Sequence, residues 1–457
     1  MINSISAQNW QGYGQGFDHE IRTFYVDTVD NLLYIGGGFG YADTTMARGI
    51  ATWDGNSFSG VGTCQFDWDC VSTLLPNEWP NPVLGITRYN DTIYAAGFFF
   101  TAGSTLLYGN AKFDGTVWQP VCSNPNTTVV RHFIDSNDDL YFMGLFDTIC
   151  GNLATGIAKY DGNSVTSIGS NLDYLMEAIE YNGDIYFGGN FDNINGLSSI
   201  ARYDGSNFFP VDGGFVGGFS WVSDLEIYKD ELYVCGAFYK GAGNAADNIA
   251  KWDTTTSSWV DVGGGILETP TSPSGAAANK MTVFNGELWV VGDFEYAGGV
   301  PAQNIAKWNG TQWCGVGSVF DNGLSDVAVY NNELYISGGF WTIDGDTVNR
   351  FAKWIGGNFV DTCGSIVGIN EFQQTNSLTL YPNPTNNNIT IKLNEEFYHK
   401  DISIEIYDII GQLSYSNIFK KHGNNHLTIN VTHLPKGIYL VKLQMEEKVY
   451  SDKFVKQ

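Results

Sequence analysis

The chain has 457 residues, of which 55 are glycine, 15% are aromatic and only 16% are charged. That composition excludes a helical bundle or coiled coil, which need Ala, Glu, Lys and Leu, and 43% apolar content excludes a disordered chain. The formal charge of −26 argues against nucleic acid or an anionic lipid surface as a partner, and is compatible with neutral sugars or divalent cations.

The charge is unevenly placed. Residues 366–457 hold nine Lys and nine acidic residues, so the whole excess lies before them. A domain boundary near residue 365 is expected. No apolar run approaches ~18 residues, so no membrane-spanning helix is expected.

Met1 begins no basic-then-apolar segment, but Ser4-Ile5-Ser6-Ala7-Gln8 resembles the tail of a signal-cleavage region. The expectation is a start upstream of this one. The segment Trp10–Phe17 matches Trp259–Ile266, where a strand is followed by glycines. It reads as an outermost strand without a sheet of its own. It is expected to complete the last repeat, whose own candidate, Phe359–Cys363, is weak. A fragment of an eighth repeat is the alternative.

From there a repeat dominates. Aromatic-x-x-Gly-x-Phe recurs seven times, at Tyr34/Gly37/Phe39, Tyr94/Gly97/Phe99, Tyr141/Gly144/Phe146, Tyr186/Gly189/Phe191, Tyr233/Gly236/Phe238, Trp289/Gly292/Phe294 and Tyr335/Gly338/Phe340. Each copy has an apolar run upstream, such as Val327–Tyr330. Downstream come an Ala-Lys-aromatic-Asp-Gly stretch, such as Ala158–Gly162, and an aromatic-x-x-Val-Gly stretch, such as Trp313–Gly317. Four short strands per unit result. Asn182-Gly183, Asn285-Gly286, Asp161-Gly162 and Asp204-Gly205 supply the positive-φ residues of tight hairpins. Seven small sheets can cover each other's apolar faces by packing radially. The predicted fold is therefore all-β, a seven-bladed β-propeller over residues 1–363. The repeat phenylalanines are expected to pack sheet against sheet.

Ligand sites are sought where the repeat is broken. An insertion at Cys64–Pro82 carries Phe66, Asp67, Trp68, Asp69 and Trp79, which suit stacking and hydrogen bonding to sugars. Cys64 and Cys70 could close that loop in an oxidising compartment. A second insertion, Gly265–Lys280, is rich in Pro, Ser, Gly and Ala. Cys235 lies in an apolar strand and reads as a buried thiol.

Catalytic signals are sparse. The repeats hold only His19 and His132, neither in a nucleophile-elbow context. No phosphate loop, dinucleotide fingerprint or Cys/His metal spacing occurs, so no cofactor is expected. Asp344-Gly345-Asp346 lacks the full calcium-loop spacing and reads as a turn. Asp54, Asp114, Asp161 and Asp204 read as turn formers rather than as acids of a glycosidase.

Residues 364–377 read as a linker, and 378–457 as a small Ig-like β-sandwich of alternating strands with Pro, Asn and Gly in the turns.

Two resemblances follow. Gly-Gly-x-Phe, Ile-Ala-x-Trp-Asp-Gly and Trp-x-x-Val-Gly resemble Gly-rich, kelch-like propeller repeats of secreted bacterial proteins. At the other end, Tyr381-Pro382-Asn383-Pro384, then Tyr407-Asp408 with Gly411, Gly437 with Tyr439, and a basic end containing Lys453, resemble the C-terminal sorting domain of the type IX secretion system of Bacteroidota. That resemblance implies the type IX machinery as a partner and a secreted or outer-membrane surface location. It also implies cutting within Ser365–Ser377. The expected function is a non-catalytic binding propeller for a glycan, a matrix polymer or a surface protein. The alternative is a secreted polysaccharide hydrolase with an acid and a base carboxylate at the channel, and a structural surface role is a third. Close, buried carboxylates with raised pKa around the axis would favour the enzyme.

Overall fold

The computed structural model is all-β, and among the described residues there is no helix. It describes the chain except residues 1–3, 7–8, 63–81, 100, 103–104, 123–127, 169–171, 173, 192–195, 218, 242–243, 357–361, 364–378, 394–399, 409–412, 421–425 and 446–447. The chain forms two compact units, Met1–Ile366 and Val367–Gln457.

Among the described residues, unit one holds seven antiparallel sheets of four or five strands in chain order, with smaller two- and three-stranded sheets between them. Their first strands are Ile21–Asp27, Val83–Tyr89, Val129–Ile134, Leu175–Tyr181, Trp221–Tyr228, Ala277–Phe284 and Leu324–Tyr330. In six sheets the second, third and fourth strands follow in order. The seventh differs. Its fourth position is taken by Trp10–Tyr13 from the start of the chain, in register Trp10↔Trp354, Gln11↔Lys353 and Gly12↔Ala352. Thr362–Cys363 instead pairs with Trp313–Gly315 of the sixth sheet, and Cys363 is disulfide-bonded to Cys314 there. A second disulfide joins Cys122 and Cys150, and Cys235 is a buried free thiol. Cys64 and Cys70 lie outside the described residues.

First strands of successive sheets lie against one another, and Ile21–Asp27 also lies against Leu324–Tyr330. A repeated device ties the far ends. The Tyr181 hydroxyl donates to the Asp230 carbonyl (3.2 Å), Tyr228 to Gly286 (2.9 Å) and Tyr330 to Asn31 (2.8 Å). Each bond runs from one sheet into the first hairpin of another, and the last runs from the seventh sheet to the first.

The repeat glycine has a steric cause. A Cβ on Gly37, Gly144, Gly236 or Gly292 would stand 2.0–2.3 Å from a backbone carbonyl where the neighbouring first strand begins. Any larger residue would push the first two strands apart. The phenylalanine two residues on is buried in all seven copies, from 0% to 3% exposed. Asp54 and Asp161 do form turns, each accepting backbone N–H bonds from the residues two and three positions on.

Unit two is a sandwich. Thr379–Tyr381, Asn388–Lys392 and His426–Asn430 make one sheet. Leu413–Phe419, Ile402–Asp408, Gly437–Met445 and Lys448–Lys456 make the other. Ile389, Ile391, Ile402, Ile404, Ile406, Val441 and Phe454 meet between them.

The Trp10 ring is fully buried, edge-on to Trp354 at 4.9 Å, and its Nε1 donates to Ser318 Oγ at 3.0 Å. Trp10→Ala should lower the unfolding free energy of unit one by about 3–4 kcal/mol. Urea denaturation of the full chain checks this, and an unchanged midpoint would show that the seventh sheet does not need its N-terminal strand.

Candidate functional site

Each first strand has a register shift near its start. The residue after it pairs with the residue preceding the repeat glycine. These seven equivalent residues are Thr23, Gly85, Arg131, Glu177, Asp224, Lys280 and Asp326. Five of the seven carry charge, on strands otherwise rich in apolar residues.

They answer one another. Lys280 Nζ donates to Asp224 Oδ1 (2.6 Å) and to Glu177 Oε2 (2.8 Å). Asp224 Oδ2 accepts from the backbone N–H of Met281 (2.7 Å). Asp326 does the same across another junction, accepting from Phe24 N–H at 2.7 Å. The Arg131 guanidinium donates to Thr23 Oγ1 (3.0 Å) and the Met176 carbonyl (3.3 Å). Gly85 leaves room for it, since a Cβ there would stand 3.3 Å from Arg131 Cδ.

Burial sets the titration. It pushes Asp224 and Asp326 upward, against the pull of Lys280, and it also raises the nearby Glu226. Burial acts on Glu177 in the same sense, but the charges of Lys280 and Arg131 overcome it and hold that carboxyl low. Burial opposes the Lys280 charge too, yet Asp224 and Glu177 shift its pKa upward. Asp224 is 1% exposed and Asp326 3%. His132 is neutral, pushed down to about 3 by burial, with Nε2 at 3.0 Å from Asn110 Oδ1.

A different surface is open. Because strands alternate in direction, the hairpin between second and third strands and the connection between sheets lie at the same edge. Among the described residues of unit one, nine of twelve exposed large apolar side chains sit on these segments, including Tyr41, Leu153, Phe219 and Trp341. Phe219 is 74% exposed and stacks on Trp221, with centroids 5.2 Å apart and planes within 12°. The Tyr239 ring packs over Gly217 beside them. The Trp341 ring, 48% exposed, carries the Arg350 guanidinium at 3.6 Å. The expected sugar site of Phe66, Asp67, Trp68, Asp69 and Trp79 lies outside the described residues. Sequence reading missed Trp221 and the charged belt. Counting back twelve residues from the repeat glycine finds the belt in five of the seven copies.

In unit two, Asn383 sits beside the last strand. Its Nδ2 donates to the Lys453 carbonyl and its Oδ1 accepts from Val455 N–H, both at 2.9 Å. Tyr381-Pro382 and Asn383-Pro384 are cis peptides. The Tyr381 side chain is exposed. Tyr439 is buried, stacked on Phe454, and its hydroxyl donates to the Pro435 carbonyl at 3.0 Å. Tyr407 donates to Glu405 at 2.8 Å, and Lys453 is exposed. Asp408 and Gly437 are partly buried on their strands. Gly411 lies outside the described residues.

Comparison with known families decides what this unit is. Residues 379–457 match the model of the secretion system C-terminal sorting domain. Unit two is a type IX sorting domain. The sorting domain marks the chain as secreted or displayed at the cell surface, with the secretion machinery as a partner. No helix is long and apolar enough to cross a membrane among the described residues. No curated protein matches the chain. Solved structures similar to it include the extracellular domain of a putative one-component system from B. thetaiotaomicron (11% identity, 99% of this chain and 85% of that one, TM-score 0.19). Another is a B. thetaiotaomicron protein of unknown function (13% identity, 66% and 72%, TM-score 0.32). A third is described as a glycoside hydrolase (9% identity, 98% and 96%, TM-score 0.29).

The belt makes a sharp prediction. Lys280→Met leaves Glu177 and Asp224 without their shared cation, and should cost about 3 kcal/mol at pH 8. Both carboxyls would then titrate higher in the folded than in the unfolded chain. The folded state would bind more protons, so the deficit should shrink as pH falls from 8 to 5. Thermal melts across that range check it, and a deficit independent of pH would contradict the assignment.

Proposed function

We propose that unit one is a seven-bladed β-propeller spanning residues 1–363, joined by a linker at 364–377 to the sorting domain at 378–457. In this reading the propeller is carried outside the cell and binds a neutral extracellular polysaccharide without cleaving it. Seven equivalent sheets, the neighbouring of first strands from one sheet to the next, and the contact between the seventh and first support the architecture. The Trp10–Tyr13 strand in the seventh sheet supports it further, because a strand from the opposite chain end is how a radial array is fastened.

One observation carries the binding reading: the exposed aromatics gather at a single edge of the sheets, led by the Phe219–Trp221 stack. Flat, partly wet aromatic faces suit the C–H faces of sugar rings. The negative charge of the repeats favours a neutral polymer over a sulfated or uronic one. The hydrolase reading is the weaker. Buried carboxylates with raised pKa are present, but Asp224 and Asp326 are spent on backbone N–H groups and lie out of reach of a polymer. Trp68 and Trp79 remain candidates for a second contact with the same ligand.

Trp221→Ala and Phe219→Ala should each weaken binding to a neutral polysaccharide by about tenfold, the loss of roughly one stacking contact. Unfolding should be little changed for Phe219→Ala, whose ring is mostly in water. A polysaccharide panel scored for both retention and released reducing sugar checks this. Undiminished retention removes the site, and released sugar overturns the non-catalytic reading.

A further inference from the structure

The four-stranded sheet of the sorting domain has two very different faces. Ile402, Ile404, Ile406, Val441, Leu443 and Phe454 point into the sandwich and are fully buried. The alternate residues point outward. Antiparallel register places those outward residues in rows. Leu413 pairs with Tyr407, Tyr407 with Leu440, and Leu440 with Lys453, one row across all four strands. Ile438 pairs with Val455 beside it.

That end of the face is greasy where a solvated sheet should be polar. Ile438 is 52% exposed, Leu413 50% and Val455 37%. The adjacent row is polar: Glu405 pairs with Lys442, bonded at 3.2 Å, and Glu405 also takes the Tyr407 hydroxyl. The stripe is therefore confined, with a charged boundary on one side and the Lys453 ammonium at its end.

We infer that this stripe, Leu413–Tyr407–Leu440–Lys453 with Ile438 and Val455, is the surface that the secretion machinery reads on this chain. The inference rests on residues 379–457 being a sorting domain. The sorting residues divide by structural duty. Asn383 and Tyr439 are consumed inside the fold, the one bonded to the last strand and the other buried on Phe454. Tyr407 and Lys453 are not needed for the core, yet they end up in one row with the exposed aliphatics. A unit whose task is to be recognised, and which leaves isoleucine and valine in water at one place, offers that place to its receptor. The receptor surface that fits is apolar with a carboxylate at one end to meet Lys453.

The test is export of the full chain from a Bacteroidota host with a type IX system, read as the fraction of protein outside the cell or on its surface. The double variant Ile438→Glu/Val455→Glu should lower that fraction by about tenfold or more, the scale set by burying charge in an apolar contact. Lys453→Glu, an exposed charge reversal that leaves the core untouched, should lower it as well, with an unchanged thermal melt. Ile418→Glu is the control. Ile418 is 59% exposed on the same face but lies beyond the Glu405–Lys442 row. It should export as the parent does. Normal export of Lys453→Glu and of the double variant would overturn the inference, and so would equal loss in Ile418→Glu. Removal of residues 379–457 separates the two claims. If that truncated chain is still exported, the sorting reading fails rather than the choice of surface.

Discussion

Seven first strands can crowd together only if the polar groups they bring are answered on the spot. The belt from Thr23 to Asp326 does this. Asp224 and Asp326 each take a backbone N–H from a neighbouring sheet, and Lys280 spans two carboxylates on two other sheets. In low dielectric such charges are costly alone and tolerable together. The set has two cations against three carboxylates, so removing a cation leaves more uncompensated charge than removing an acid. The belt thus explains the junctions, and every acid in it is already engaged.

The repeat glycine and the belt are two sides of one constraint. The register shift that aims the belt residue brings the start of the first strand onto the second, and only glycine fits there. The aromatic two residues later fills the space beyond. One pattern of Tyr, Gly and Phe therefore sets strand spacing, belt orientation and sheet packing at once.

Much of this was legible beforehand. Seven Tyr-x-x-Gly-x-Phe copies and their Asn-Gly and Asp-Gly turns marked the four-strand units, because φ > 0 turns and period-two alternation are local properties. The role of Trp10 was legible because its neighbours repeat those of Trp259. The Cys314–Cys363 and Cys122–Cys150 pairs were not, since which cysteines meet depends on which sheets are neighbours. Thr362–Cys363 could not be placed on the sixth sheet for the same reason. The belt was hidden because Arg131, Glu177 and Lys280 share a position but not a chemistry. Phe219 and Trp221 stand outside the repeat pattern, and only the exposure of Phe219 and its stacking on the half-buried Trp221 single them out. In the sorting domain, short motifs ran inward and outward residues together. Tyr439 and Ile438 are neighbours in sequence and face opposite ways.

The strand at Trp10–Tyr13 has a consequence in time. Its partner Phe351–Trp354 is made last among the repeats, and the Trp10–Ser318 bond spans 308 residues. Ribosomal synthesis delivers the early part of this contact long before the late part exists. Until then the first sheets have an unmatched flank, and a pairing of such high sequence separation carries a large loop-closure cost. The clasp between Trp10–Tyr13 and Phe351–Trp354 can therefore shut only once nearly the whole of unit one has been made.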